Sequence, residues 1–175
     1  YDGKLSIVKF KNKELLYTRS NIFKNGGRHV QVIDLNYKKK GFYQLNFLNY
    51  TIKQKNNIYF IVVKSIGSTL VGIFPAVIDD KAAIWCSTSL NGLNWSKPIS
   101  IYNSVAIKNV RSSDWPIDFL YKKNAIILLI QHNVKVEQHP HYFQTLCNVQ
   151  PPTEICNYTF KIKTKNFCED IKIDT

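Results

Sequence analysis

The sequence predicts an all-β chain, on two observations. Short runs rich in Ile, Val, Tyr and Phe, punctuated by Gly, Asn, Asp, Lys or Pro, recur from end to end. No window sustains an i, i+3, i+4, i+7 apolar face over a dozen residues. In order, LSIVKF (5–10) and ELLYTRS (14–20) flank a Lys/Asn turn that suits a hairpin. RHVQVIDL (28–35) follows a Gly-Gly pair and alternates polar with apolar around Val30 and Val32. NIYFIVVKS (57–65) and TLVGIFPAVI (69–78) are near-continuously apolar, separated by a Gly-containing turn, and AAIWCSTS (82–89) begins apolar and ends polar. PISIY (98–102) starts at a proline, and AIILLIQHNV (125–134) is again almost wholly apolar.

Three stretches repeat a theme. KNKELLYTRS (11–20), KNNIYFIVVKS (55–65) and KKNAIILLIQH (122–132) each place a Lys/Asn turn before an apolar strand with a polar end. The spacing is near the ~40 to 50 residues of a propeller blade, with the last interval stretched by a longer loop. A strand apolar on both faces is what a blade packed between two neighbours requires. The expected fold is therefore a β-propeller of antiparallel four-stranded blades, with a β-sandwich as the alternative. Residues 5–49 and 57–102 form two neighbouring units, and the strand at 124–131 opens a third. Residues 1–140 make a partial propeller of about three blades, and residues 141–175 a Cys-containing β extension. Three units do not close a ring, so a fragment or open arc is expected. Tyr1 in the first position suggests a longer or processed product.

Ser87 to Trp95 reads STSLNGLNW. Asn91 and Gly92 suit the tip of a tight hairpin, and Trp95 can fold back over its apolar side. This stretch resembles the Asp-box-like hairpin of sialidases and the S-x-D-G-x-x-W turn of invertase-like and arabinanase-like glycoside hydrolases. Asn91 stands where those motifs usually carry Asp, and either residue caps a turn through its side-chain oxygen. The resemblance covers roughly residues 5–135 and implies a carbohydrate-active propeller, with Trp95 as a structural staple.

Charge points elsewhere at first. The formal net charge is +12, which suits phosphate neutralisation, but only Arg19, Arg28 and Arg111 among the 24 basic residues are arginine. Base and phosphate forks recruit Arg for its bidentate geometry. Surface lysines are the simpler reading, with a polyanion site as the weaker alternative and nucleic acid not expected. No apolar run approaches the ~18 residues of a membrane span. Cys147, Cys156 and Cys168 crowd the end of the chain, while Cys86 lies in an apolar run. One disulfide is expected among the first three, with Cys86 reduced. The sequons at Asn49, Asn94 and Asn157 fit a secreted or lumenal glycoprotein. No cysteine pair has zinc-ligand spacing, His139-Pro140-His141 lacks a third ligand, and no cofactor motif is present, so neither metal nor cofactor is expected.

A propeller glycosidase needs two carboxyl groups ~5 to 10 Å apart. Terminal or turn contexts make most of the 12 acidic residues solvated, Asp79 and Asp80 among them, which leaves Asp34, Asp114, Asp118 and Glu137. VRSSDWPIDF (110–119) resembles a loosened Arg-Asp-Pro motif of invertase-like hydrolases, which implies that Asp114 grips sugar hydroxyls in the transition state. A salt link between Arg111 and Asp114 at a strand entry is the structural alternative. If strand ends converge on one face, Arg19, Arg28, His29, Arg111 and His132 line a polar funnel with Asp114, and Trp115 stacks on a sugar. The functional expectation is a glycoside-hydrolase-like propeller that cleaves or binds a glycan in its axial cleft, with a non-catalytic, lectin-like module as the alternative.

Overall fold

The computed structural model describes residues 4–23, 26–36, 42–48, 50, 56–79, 81–103, 112–122, 125–135, 155–163 and 172–174. Within them the fold is all-β, with fifteen strands in three sheets and no helix. The first sheet is an antiparallel meander of β1 (Ser6–Phe10), β2 (Lys13–Phe23), β3 (Gly26–Asp34) and β4 (Phe42–Gln44). The second runs β7 (Val62–Ile66), β8 (Thr69–Ile78), β9 (Lys81–Ser89) and β11 (Ile99–Asn103). It is extended by the short strands β5 (Asn46–Phe47), β6 (Asn57–Ile58) and β10 (Asn94–Trp95). The third is β12 (Ser112–Lys122), β13 (Ala125–Lys135), β14 (Ile155–Lys163) and β15 (Lys172–Asp174). Each sheet thus contains four strands joined in chain order and paired antiparallel. β14, from the expected C-terminal extension, pairs with β13 from Ala125↔Lys161 to Gln131↔Ile155.

Two local differences from the sequence reading trace to proline. Residues 57–65 form two strands rather than one, because their common partner β8 carries Pro75 opposite the break. Proline has no N–H to donate, so the ladder is interrupted there, and Tyr59 donates to the Pro75 carbonyl at 3.2 Å. The sequence reading enters a strand at Pro116, whereas β12 begins four residues earlier, at Ser112, and holds the proline inside it. It is tolerated because β12 is an edge strand with register shifts on both sides of the proline.

The second sheet is buried on both faces. Toward the first sheet, Leu70, Phe74, Ala76 and Ile78 of β8 pack with Val8, Phe10, Leu15, Tyr17, Val30 and Val32. Toward the third, Val71 and Ile73 of β8 with Ile84 and Cys86 of β9 meet Phe119, Ile126, Leu128 and Ile130. This accounts for the unbroken apolar run of β8: alternate residues point to opposite faces, and both faces are core.

The β9–β10 hairpin closes on a network of its own. Asn91 Oδ1 accepts from the backbone N–H of Leu93 (2.9 Å) and Asn94 (2.8 Å). Ser89 Oγ accepts from Gly92 N–H at 2.8 Å and donates to the Asn94 carbonyl at 2.6 Å. Gly92 is left-handed at φ +83°, a conformation that favours glycine, and a Cβ there would strike Leu15 and the Tyr17 hydroxyl. Ser87 and Thr88 are buried and satisfied by Ser96 on the return limb. Trp95 is 0% exposed, donates Nε1–H to the Gly92 carbonyl at 3.1 Å, and meets Tyr17 edge-on at 5.9 Å.

Trp95 is thus a staple, and Trp95→Ala is expected to cost about 3 to 5 kcal/mol in chemical denaturation. Gly72 lies beneath the same indole, where an added Cβ would stand 2.5 Å from Ile61 Cδ1 and 2.6 Å from Trp95 Cζ3. Overpacking by Gly72→Ala should cost about 1 to 3 kcal/mol. Unchanged denaturation midpoints in either variant would refute the packing assigned to that residue.

Candidate functional site

The three sheets meet at their first strands. β1 lies against β7, and β12 lies against β7, β8 and β9. Between them opens a cleft of about 570 Å³. Ser6 fixes β1 to β7: its Oγ accepts from Val63 N–H at 2.9 Å and donates to the Val63 carbonyl at 3.4 Å. Lys64 on β7 reaches Asp118 on β12, with Nζ 2.9 Å from Oδ1 and 3.0 Å from Oδ2. The same ammonium lies 5.4 Å from the Phe119 ring centroid, so an apolar wall backs the ion pair. Lys4 lines the cleft with its Nζ 6.0 Å from the Phe60 ring centroid. Desolvation holds its ammonium below the ordinary lysine range; Asp118 opposes that shift and Lys64 adds to it.

Asp118 owes its position to a bulge. Pro116 pairs with Ile130 and Phe119 with Leu128, so three steps on β12 match two on β13. Pro116 and Phe119 therefore both face the core, which strict alternation would forbid. The extra residue leaves Asp118 partly exposed beside β7.

The sequence-derived candidates fall into three groups. Asp114, Trp115 and His132 come together on the backbone: Trp115 pairs with Gln131, and Asp114 lies across from the irregular step after Gln131 that contains His132. They occupy the start of β12 and the far half of β13. Arg111 lies outside the described residues, as do Asp80, Glu137, Cys147 and Cys168. Arg19, Arg28 and His29 sit elsewhere, on the second and third strands of the first sheet, and none lines the cleft. Strands are ~4.8 Å apart, so β3 stands ~10 Å from β1. Arg28 stacks 5.3 Å over the Tyr59 ring centroid, and its backbone N–H bonds Asn57. His29 is 2% exposed, with Nε2 3.2 Å from the Leu45 carbonyl and its ring edge-on to Phe47.

Sequence reasoning passed over Lys4, Ser6 and Lys64, because a lysine or serine at a strand end carries no chemical signature until a neighbouring strand faces it. Asp118 was among the open carboxylates; the signal that singles it out is its place on the first strand of a sheet. Asp79 occupies a strained turn at φ +49°, pinned where its N–H donates to Asn56 Oδ1 at 3.1 Å. Tyr50 donates to Asp79 Oδ2 at 3.0 Å; burial first, then that carboxylate, push its phenol up to about 12. Cys86 is a free, buried thiol pushed up to about 12 by desolvation, which marks it as packing rather than nucleophile. Among the described residues no three His, Cys, Asp or Glu side chains are grouped to hold a metal ion, and no helix is long and apolar enough to cross a membrane.

No protein-family model matches this chain, and no curated protein matches it. Among solved structures it is similar to the crystal structure of an N-acetylgalactosamine deacetylase from F. plautii in complex with blood group B trisaccharide. Identity is 14% and the TM-score 0.49, over 72% of this chain and 38% of that one.

His29 gives a pH signature. A carbonyl only accepts, so Nε2 carries the proton, and Nδ1 is a buried lone pair with no partner among the described residues. Desolvation lowers the imidazole from its ordinary value of 6.5, opposed by the Leu45 bond. The unfolded chain therefore takes up the proton first. Stability is full above 6.5 and is lost as pH falls from there toward the folded value. Denaturation midpoints at about pH 7.5 and about pH 5 should differ more in the native sequence than in His29→Gln. Equal differences would assign the acid sensitivity to other groups.

Proposed function

We propose that this chain is a partial β-propeller of the carbohydrate-active kind and binds a glycan in the cleft where β1, β7 and β12 converge. The observation that carries the reading is the set of three first strands around one cleft, with the Lys64–Asp118 pair at their junction. Three four-stranded meanders stacked face to face, and an S-x-N-G-x-x-W hairpin closed by its own Ser, Asn and Trp, support the propeller. A volume near 570 Å³ suits a small ligand or the end of an oligosaccharide. Asp118 accepts sugar hydroxyls, Lys64 and Lys4 donate to neighbouring oxygens, and Trp115 supplies an aromatic face further along β12. Asp114 and Trp115 belong to the proposed site by their place on the same strand, and Arg111 by its place in the sequence just before that strand.

The panel below separates binding from cleavage, since cleavage requires a second carboxyl group within ~5 to 10 Å of the first. An oxidising, secretory compartment belongs to the same proposal, with one disulfide among Cys147, Cys156 and Cys168. Thiol counting under denaturing, non-reducing conditions should then find two free thiols, and four would refute that part.

The test is a glycan array and a chromogenic glycoside panel on the native sequence, Asp118→Asn and Asp114→Asn. Lys64 and Asp118 are 36% and 45% exposed, so their pairing is worth at most about 1 kcal/mol and Asp118→Asn should remain folded. Loss of a charged hydrogen bond predicts binding at least ~10-fold weaker. Turnover abolished by either substitution would establish a glycosidase instead. Binding indifferent to both would remove the cleft. Binding that collapses steeply with added salt would select a polyanion ligand.

A further inference from the structure

A second pocket opens away from the cleft, where the end of β8, the first half of β9 and the residues leading into β11 meet Tyr50. It encloses about 260 Å³ and is lined by Tyr50, Ile78, Asp79, Trp85, Lys97 and Pro98. None of these residues lines the cleft, and β9 is two strands removed from β7, ~10 Å across the sheet. Tyr50 and Trp85 are half-buried against the core shared by the first and second sheets. Trp85 donates Nε1–H to the Ala76 carbonyl at 3.1 Å, which fixes the plane of its indole. Asp79 belongs to a closed cycle built on Asn56, a fully buried amide. Asn56 Oδ1 accepts from Asp79 N–H at 3.1 Å, Asn56 Nδ2 donates to the Tyr50 hydroxyl at 3.1 Å, and that hydroxyl donates to Asp79 Oδ2 at 3.0 Å. The cycle holds Asp79 at φ +49°, a left-handed conformation that costs an aspartate more than a glycine. Glycine would make the same turn, so the carboxylate is what this residue adds to it.

We propose that this pocket is a second carbohydrate site, which takes a single neutral pyranose with its C–H face on Trp85, one hydroxyl donating to Asp79 and another accepting from Lys97. The lining joins aromatic and aliphatic surface to a few convergent polar groups, as ligand sites do. Among these six residues one carboxylate and one ammonium cancel, which favours a neutral ligand that both donates and accepts. A sugar ring answers to both features, with an apolar face and hydroxyls around its edge. A lone organic cation would be drawn to Asp79 and the aromatic rings but repelled by Lys97.

The choice of a sugar rests on the glycan reading of the chain, but the pocket shares no residue with the cleft, so the two sites fail separately. The test is a titration of nitrogen-15-labelled protein with methyl glycosides of neutral hexoses, read from the indole N–H resonances, with Trp85→Phe assigning the Trp85 signal. That signal should shift and saturate at about millimolar concentration, as suits a ligand of one ring. Asp79→Asn keeps an acceptor for Tyr50 and suits a left-handed turn, and Lys97→Ala changes an exposed side chain, so both should retain the native circular dichroism spectrum. Each should weaken the saturation at least ~10-fold. Asp118→Asn should leave the Trp85 response unchanged even where it abolishes binding in the cleft. No shift with any of the glycosides, a shift lost in Asp118→Asn, saturation unchanged in both pocket variants, or a response to tetramethylammonium in preference to the sugars would each overturn the proposal.

Discussion

One carbonyl oxygen ties the hairpin to the sheet stack. The Gly92 carbonyl accepts two buried hydrogen bonds, from Trp95 Nε1 and from the Tyr17 hydroxyl, both at 3.1 Å. The first closes the β9–β10 hairpin and the second joins its tip to β2 of the neighbouring sheet. Losing either donor would leave a buried polar group poorly satisfied, a penalty of about 1 to 3 kcal/mol beyond the lost packing. Burial pushes the Tyr17 phenol well above its ordinary value, so it remains a donor throughout the working pH range. Gly92 meets three demands at once: a left-handed turn, room for Leu15, and a carbonyl aimed into the core.

From this point outward, stability depends on the middle sheet. Trp95 and Phe74 fill the side facing the first sheet, while Ile73, Ile84 and Cys86 fill the side facing the third. An apolar residue of β8 is therefore desolvated whichever way it points, at about 1.5 to 3 kcal/mol for each large side chain. The outer sheets lack this redundancy. Their solvent-side rows, Ile7 to Phe42 and Leu120 with Ile127, contribute nothing to this core and retain their apolar surface.

What the sequence disclosed follows from how each signal is encoded. The all-β class and the first two meanders were legible because β-branched runs and Gly/Asn turns are local properties. The hairpin was legible in its Asn91 cap, its Gly92 tip and its Trp95 staple, since these residues are within a few positions of one another. The start of β12 was not, because Pro116 reads as a strand's first residue unless the edge position and its bulges are known. The same bulges hid the place of Asp118 beside β7, since they decide which residues of β12 leave the core. His29 and Arg28 were grouped as funnel residues from type alone; their strand is third from the cleft, a fact that resides in pairing order. His29 is a core residue with one satisfied nitrogen.

Among the described residues, the Lys64–Asp118 pair differs in kind from the buried hydrogen bonds around the hairpin. The buried bonds of Ser87, Ser89 and Tyr17 protect groups that water cannot reach, so their structural role is sufficient explanation. A half-exposed ion pair has no such role: screening and side-chain entropy reduce its worth to at most about 1 kcal/mol. Yet the chain spends a bulge, with Ile117 as the unmatched residue, to take this aspartate off the core face and set it against the first strand of the next sheet. Bulges beside functional sites re-aim side chains in just this way. The same displacement could have been avoided by an apolar residue at 118 in unbroken register with Leu128 and Ile130. That the irregular backbone is accommodated, in the strand that also carries Asp114 and Trp115, is physical grounds for testing Asp118 first among the carboxylates of β12.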